Sequence, residues 1–309
     1  MNSIKVPRLD WSRIVRSNDR IVCSHMTSEP VALLHSLAGS DTHDHRMNIF
    51  LGVPFSSAAR GFPTNTTFTT YGGMGTAGVL ARTHTTHMSM VHYSRSASAF
   101  ASGEEGVDVV LVSLARAPDG TLHLGASHGY ALSAARRARC IVAEINALAP
   151  VVFGAPWPAE LEIACSVDVA YPLTETTGSG ISEMERSIAA HVAPLVANGA
   201  CLQIGIGSLP SAVLTGLSDH RGLGIHSGML TPGLWRLVES GVINNSHKAI
   251  DPGISVAGCV YGDASLYSAV HLNPIVSLRA PSHTHATSVI ARLDRFTAVS
   301  YTHLRAHET

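Results

Sequence analysis

CLQIGIGSLPSAVLTGLSDHRGLGIHSGMLTPGLWRLVESGVI, residues 201–243, reads as strand, glycine turn, helix, strand, tight turn, helix. An apolar run from Leu202 to Ile206 ends in Gly205-Ile206-Gly207-Ser208-Leu209-Pro210, and a helix pattern follows at once. A second short strand, Leu223 to His226, ends in Ser227-Gly228-Met229. Two strand ends facing one helix N-terminus make a place to hold an anion and do chemistry beside it. A right-handed crossover returns the chain to the same side of the sheet. Gly205–Leu209 and His226–Gly228 are therefore expected at adjacent strand ends, facing a common cleft between the domains.

The same alternation extends outward from this stretch and predicts an α/β fold with mainly parallel sheets. Strand-like runs fall at Arg20–Ser24, Met47–Gly52, Phe68–Tyr71, Met88–Tyr93, Val107–Leu114 and Cys140–Ile145. Helix patterns lie between them at Glu29–Leu37, Ala77–Arg82 and Tyr130–Arg139. Pro150, Pro156 and Pro158 make Ala149–Glu160 a loop. The Thr/Ser/Gly-rich stretch Thr174–Gly180 is the expected domain boundary. Ser182-x-x-Glu185 follows it, a capping-box pattern opening a helix to about Val196.

Composition narrows the function. A chain of 309 residues, 45% hydrophobic and 14% charged, can bury a sizeable core. A net charge of −1 gives no basic footprint for nucleic acid. No run has the length of a membrane span, and the first residues lack the apolar core of a signal peptide. Cys23, Cys140, Cys165, Cys201 and Cys259 are scattered without a C-x-x-C pair, which suits reduced, buried thiols. The expectation is a soluble cytoplasmic protein with no nucleic-acid or membrane partner. His43/His45 and His283/His285 have H-x-H spacing, but in polar, loop-like stretches with no Cys or carboxylate cluster to complete a set, so no metal is expected.

A run of fragments in a fixed order then carries a resemblance. They are Val91-His-Tyr-Ser-Arg95, the Asp108–Leu114 strand, Leu124-Gly125, Tyr130-Ala-Leu-Ser-Ala-Ala135 and Val142-Ala-Glu-Ile-Asn146. Gln203–Pro210, Leu223–Met229, Val238-Glu-Ser-Gly-Val-Ile243, Asp251-Pro-Gly253, Leu266-Tyr267 and Asn273-Pro274 continue it. In this order they resemble the acetyl-CoA hydrolase/transferase family, which includes 4-hydroxybutyrate and butyryl-CoA:acetate CoA-transferases. The likeness runs from about Arg20 to Val299, weakly before His92 and clearly after it. It implies a CoA-transferase-like domain over 1–177 and a second over 178–299, the latter incomplete. The polar residues 300–309 read as a non-native tail, because the likeness stops where they begin and a strand at Phe296–Val299 has only just started.

The resemblance also implies a reaction, with acyl-CoA and a small carboxylate such as acetate as partners. CoA enters as substrate, and no permanently bound cofactor is expected. A glutamate carboxylate attacks the thioester, an anhydride forms, CoA thiolate returns, and a glutamyl-CoA thioester passes CoA to the incoming acid. Gly205, Ile206, Gly207, Ser208 and Leu209 correspond to the loop that positions CoA. The family's His-Ser/Thr-Glu-Met is here His226-Ser227-Gly228-Met229, so the nucleophile's position holds a glycine. Glu239, the next acid, is expected in the middle of the following helix, out of reach. Ser227 and His226, as strand neighbours, point to opposite faces and cannot act as a catalytic pair. Three readings stay open: a CoA-transferase, a non-catalytic CoA-binding homologue, or an acyl-CoA hydrolase. A sugar-phosphate isomerase-type protein, with phosphate in the glycine loop, is a fourth reading from another class; the order of the fragments argues against it. A homo-oligomer is compatible with all of them.

Overall fold

The computed structural model describes residues 4, 6, 8–42, 45–176 and 180–299. The expected tail at 300–309, the 177/178 boundary and His43 lie outside the described residues. The chain divides into two compact units. The first holds the described residues up to Val151 with Ala155–Thr174; the second holds Val152–Gly154 and the described residues from Glu175 onward.

The first unit is built on β1 (Arg20–Cys23), β2 (Asn48–Gly52), β3 (Thr67–Thr70), β4 (Thr85–Met88), β5 (Val109–Arg116), β6 (Leu122–His123), β7 (Cys140–Asn146) and β8 (Cys165–Val169). Their order is β4-β3-β2-β1-β5-β7-β8, all parallel, with β6 antiparallel on β5. Central strands are buried on both faces, as parallel sheets require, and so read as unbroken apolar runs such as Val109-Val-Leu-Val112. On one face the helix Val31–Ala38 packs Leu33, Leu34 and Leu37 with Ile21, Ile49 and Leu111. Phe50 makes edge-on contacts with Tyr71, Phe100 and Tyr130 at centroid distances of 5.5, 5.2 and 5.1 Å. Strand alternation sends Phe50 and Ile49 to opposite faces. Glu144 on β7 is fully buried; its carboxyl accepts the N–H groups of Ala32 (3.0 Å) and Leu33 (3.1 Å) and the Tyr171 hydroxyl.

The structure corrects the reading of this half in several places. The strand expected at Met88–Tyr93 is β4, Thr85–Met88, and a 3₁₀ turn occupies Tyr93–Arg95. β4 is an edge strand with mostly exposed side chains, so it carries no apolar run to locate it. β8 was not expected either: it sits at the other edge and alternates half-buried with exposed residues. The helix expected over Tyr130–Arg139 is confined to Ala131–Ala135.

The second unit carries β9 (Cys201–Gln203), β10 (Gly224–Leu230), β11 (Ser255–Val260), β12 (Val276–Leu278) and β13 (Phe296–Ala298). All are parallel, in the order β12-β11-β10-β9-β13. Helices Ser208–Thr215, Pro232–Glu239 and Ala264–Val270 connect successive strands from β9 to β12. The fold class expected from the alternation, α/β with mainly parallel sheets, is the one observed.

Ser182 caps the helix Glu183–Val192 through a full capping box with Glu185, and a 3₁₀ turn at Ala193–Leu195 extends it. Ser182→Ala removes the acceptor for the Glu185 N–H and is expected to cost about 1 kcal/mol, read as a lower urea midpoint.

Candidate functional site

The glycine loop leaves the C-terminal end of β9. Gly207 has φ of 122°, a conformation that L side chains rarely adopt, and it is the N-cap of the helix Ser208–Thr215. Gly205, Ile206 and Gly207 line a cleft of about 610 Å³ in the second unit, together with Thr231, Tyr261 and Arg236. Ile206 is 48% exposed, an apolar side chain held at the surface. Ser208 and Leu209, the other two expected loop residues, are not part of the cleft lining among the described residues. Ser208 instead donates its hydroxyl to Glu185. Pro210 has no N–H, and the Ser211 N–H is taken by the Gly207 carbonyl at 3.2 Å, so any anion would meet the amides at the very start of the helix. Arg236, an exposed cation on the helix after β10, was missed by the sequence reading. Its place in an amphipathic helix made it look like an ordinary solvated residue.

The neighbouring strand differs from expectation. β10 does not stop at His226 but runs to Leu230, so Ser227-Gly228-Met229 lies within the strand. Its pairing with β11, from His226 with Val256 to Leu230 with Val260, supplies the partner that local sequence could not reveal. Ser227 is buried and locks the two strand ends together: its Oγ accepts the Ile204 N–H at 3.3 Å and donates to the Ile204 carbonyl at 3.2 Å. One residue further along each chain come Gly205 and Gly228. The two expected site segments are thus at the same, C-terminal end of adjacent parallel strands.

They do not share the cleft, however. Gly228 and His226 are absent from its lining among the described residues. Period-two alternation puts both on one face of β10, and that face meets the segment 281–285. His226 Nε2 donates to the His283 carbonyl at 3.0 Å. A Cβ built on Gly228 would stand 2.9 Å from both Cε1 and Nε2 of His285. On β11 the facing Gly258 would set its own Cβ 3.0 Å from the Gly228 carbonyl. Two glycines side by side let Thr284 and His285 lie close to the sheet. His285 is the residue at this position that sequence reasoning passed over; it was weighed only as half of an H-x-H pair.

Glu239 is the last residue of its helix, not a middle one, and is exposed. His226 is fully buried, and burial lowers its pKa to about 4. Ser227 and His226 therefore serve the architecture of the strand. Donor atoms of His226, Asp251 and His283 lie within 4.8 Å of one another. The carboxylate of Asp251 is already held by Arg279 at 3.1 Å and by His283 at 2.8 Å. Lys248 adds a second cation, its Nζ donating to the carbonyls of Ile225 and Ile254 at 2.8 and 2.6 Å. Asp251 is thus a carboxylate that the sequence did not place beside His283, and the buried Nδ1 of His226 has no hydrogen-bond partner among the described residues.

The α/β architecture with two mainly parallel sheets is shared with a CoA-transferase of known structure. The chain is 34% identical over 196 residues to a 4-hydroxybutyrate coenzyme A transferase of Clostridium kluyveri, a match covering 63% of this chain and 46% of that protein. The solved structure of a 4-hydroxybutyrate CoA-transferase from Porphyromonas gingivalis superposes with a TM-score of 0.78 at 25% identity, over 95% of this chain and 72% of that one. RipA from Yersinia pestis superposes with a TM-score of 0.84 at 25% identity, over 92% of this chain and 70% of that one. No family model matches the chain. Over the matched residues the chain is similar to CoA-transferases. It spans about half the length of the curated relatives it matches.

Among the described residues no helix is long and apolar enough to cross a membrane.

Proposed function

We propose that the second unit binds a CoA thioester at the loop Gly205–Leu209, and that this chain does not carry out the covalent exchange the resemblance implies. Acyl-CoA and a small carboxylate are the ligands in this reading, with CoA as substrate rather than resident cofactor. Arg236 supplies a cation for the phosphates of CoA, and the backbone of Gly205–Gly207 lines the same cleft. Its relatives include a succinyl-CoA:acetate/propanoyl-CoA:succinate CoA transferase of Fasciola hepatica, 31% identical over 197 residues. Transfer between acyl-CoA and carboxylate is the chemistry such names describe. The five cysteines form no disulfide, which suits a reducing compartment such as the cytoplasm.

One observation carries the second half of the proposal. Position 228 has no carboxylate, and a Cβ there would stand 2.9 Å from two atoms of the His285 ring, so the ring must shift to admit one. A covalent intermediate needs a group that can hold the acyl or CoA unit, and glycine offers none. Intact-mass measurement after incubation with acetyl-CoA is expected to show the unmodified chain, while calorimetric titration with CoA shows binding. A hydroxylamine-sensitive mass increase equal to CoA would place a nucleophile elsewhere and sink this reading.

A further inference from the structure

His226, Asp251 and His283 come from three segments of the second unit: β10, the turn before β11, and the short helix Pro281–Thr284 after β12. Each can offer one ligand atom, and these atoms lie within 4.8 Å of one another. No other trio of His, Cys, Asp or Glu is arranged this way among the described residues. His283 Nε2 and Asp251 Oδ2 are 2.8 Å apart. Ligands about 2.0–2.1 Å from a tetrahedral zinc ion stand roughly 3.3–3.4 Å from each other, so the pair needs to open by only about half an ångström to admit one. Asp251 and His283 are half-buried, which leaves the group reachable from solvent.

His226 supplies an independent sign. Its Nε2 lies 3.0 Å from the His283 carbonyl oxygen, which can only accept, so Nε2 carries the proton. In the neutral ring that leaves Nδ1 as a bare lone pair, a tautomer assigned from its neighbour. The side chain is fully buried, and Nδ1 has no hydrogen-bond partner among the described residues. A buried acceptor without a donor is costly and rare in folded proteins. One ring nitrogen fixed by a backbone carbonyl and the other left bare is the state in which histidines ligate metals. Two cations stand nearby and lower the affinity for a third. Arg279 engages Asp251 through Oδ1 and leaves Oδ2 to an incoming ion, and Lys248 is bound to the carbonyls of Ile225 and Ile254.

We propose that His226, Asp251 and His283 bind a divalent transition-metal ion of the zinc type. Two imidazoles suit zinc, nickel or copper, whereas magnesium and calcium take oxygen ligands. Three protein ligands leave a fourth position for water. The ion replaces the hydrogen between His283 and Asp251, and the displaced proton passes to His283 Nδ1 or to solvent. It clamps the turn at Asp251 and the helix Pro281–Thr284 onto β10. Of the pair His283/His285 only His283 takes part, since His285 lies against Gly228. The site does not depend on CoA binding.

The test uses the whole chain, stripped with a chelator and kept under a non-thiol reductant. Zinc chloride is the probe and magnesium chloride the control. Equilibrium dialysis with metal analysis gives the stoichiometry, and calorimetric titration gives the affinity. The unaltered chain is expected to take up one zinc ion that Asp251→Asn and His283→Gln do not, and excess magnesium is expected not to displace it. Loss of a ligand should weaken this site by about 100-fold or more, because loss of a supporting partner alone costs about 10–100-fold. Zinc is expected to raise the unfolding temperature of the unaltered chain and of neither variant. Ring-nitrogen NMR shifts of His226 and His283 report the ligands in the unaltered chain and need no variant to fold; both are expected to move on zinc binding. The inference is overturned if those shifts stay fixed at saturating zinc, or if the unaltered chain takes up no zinc. It is equally overturned if either folded variant binds zinc in the same number and as tightly, which is adventitious binding at other side chains.

Discussion

Gly228→Glu combined with His285→Gly is expected to yield a protein that gains the mass of CoA on incubation with acetyl-CoA, whereas Gly228→Glu alone is not. The single substitution places a Cβ 2.9 Å from two atoms of an imidazole ring. Real Cβ atoms do not approach so closely, so something must move. The ring lies over a sheet made shallow by Gly228 and Gly258, and Thr284 holds its far nitrogen. Overpacking of this kind costs roughly 1–3 kcal/mol and turns the new carboxylate away from a productive position. Removing the ring opens the volume that a glutamate side chain needs. The carboxylate can then attack the thioester, as the family resemblance implies. Intact-mass spectrometry of the two variants decides it. An adduct from Gly228→Glu alone would show that His285 swings aside freely. No adduct from the double variant, in a protein that still binds CoA, would show that position 228 is not where the exchange is anchored.

Glu144→Ala is expected to be the most damaging single substitution in the first unit, on the order of 4 kcal/mol. It strips the partner from two helix-terminal N–H groups and from the Tyr171 hydroxyl, and each buried group left unpaired costs roughly 1–3 kcal/mol. Glu144→Gln keeps one acceptor and loses less. The pH dependence has a definite sign. Burial raises the Glu144 pKa from 4.5 to about 7, against hydrogen bonds from Tyr171, Leu33, Ser113 and Ala32 that lower it. The folded state therefore holds a proton that the unfolded state releases near pH 4.5. This contribution is fully present below that pH and is lost as pH rises through about 7. A difference of this size corresponds to roughly 3 kcal/mol. Urea unfolding at pH 4.5 and pH 8 should show Glu144→Gln losing less stability across that interval than the unaltered chain. An equal loss in both proteins would mean that Glu144 does not titrate in this window.

Legibility followed burial. β1, β2, β5 and β7 are buried on both faces, so their apolar runs announce them in the sequence. β4 and β8 are edge strands whose side chains face outward at every second position or more, and they left little signal. The Ser182 cap was readable because its chemistry is local: the two residues that satisfy each other are three apart. The end of β10 was not readable. Ser227-Gly228-Met229 resembles a turn by composition and becomes strand because β11 supplies hydrogen-bond partners along it. The cleft was half legible, since its glycines follow a strand, while Arg236 arrives from the next helix in the chain.

What the sequence determined by itself is the alternation that makes two parallel sheets, the glycine loop after β9, and the absence of a carboxylate at 228. Each of these is local: a residue's own side chain and near neighbours are enough to state it. Only the tertiary structure decided what stands in the space beside Gly228. His285 is far away in the chain, and nothing in its Thr-rich surroundings marks it. It reaches the site because the chain passes from β12 back over β10 and β11, and because Gly228 and Gly258 together leave the sheet low enough for a ring to settle there. A side chain's identity belongs to the sequence, but the neighbour it meets across the sheet is set by packing.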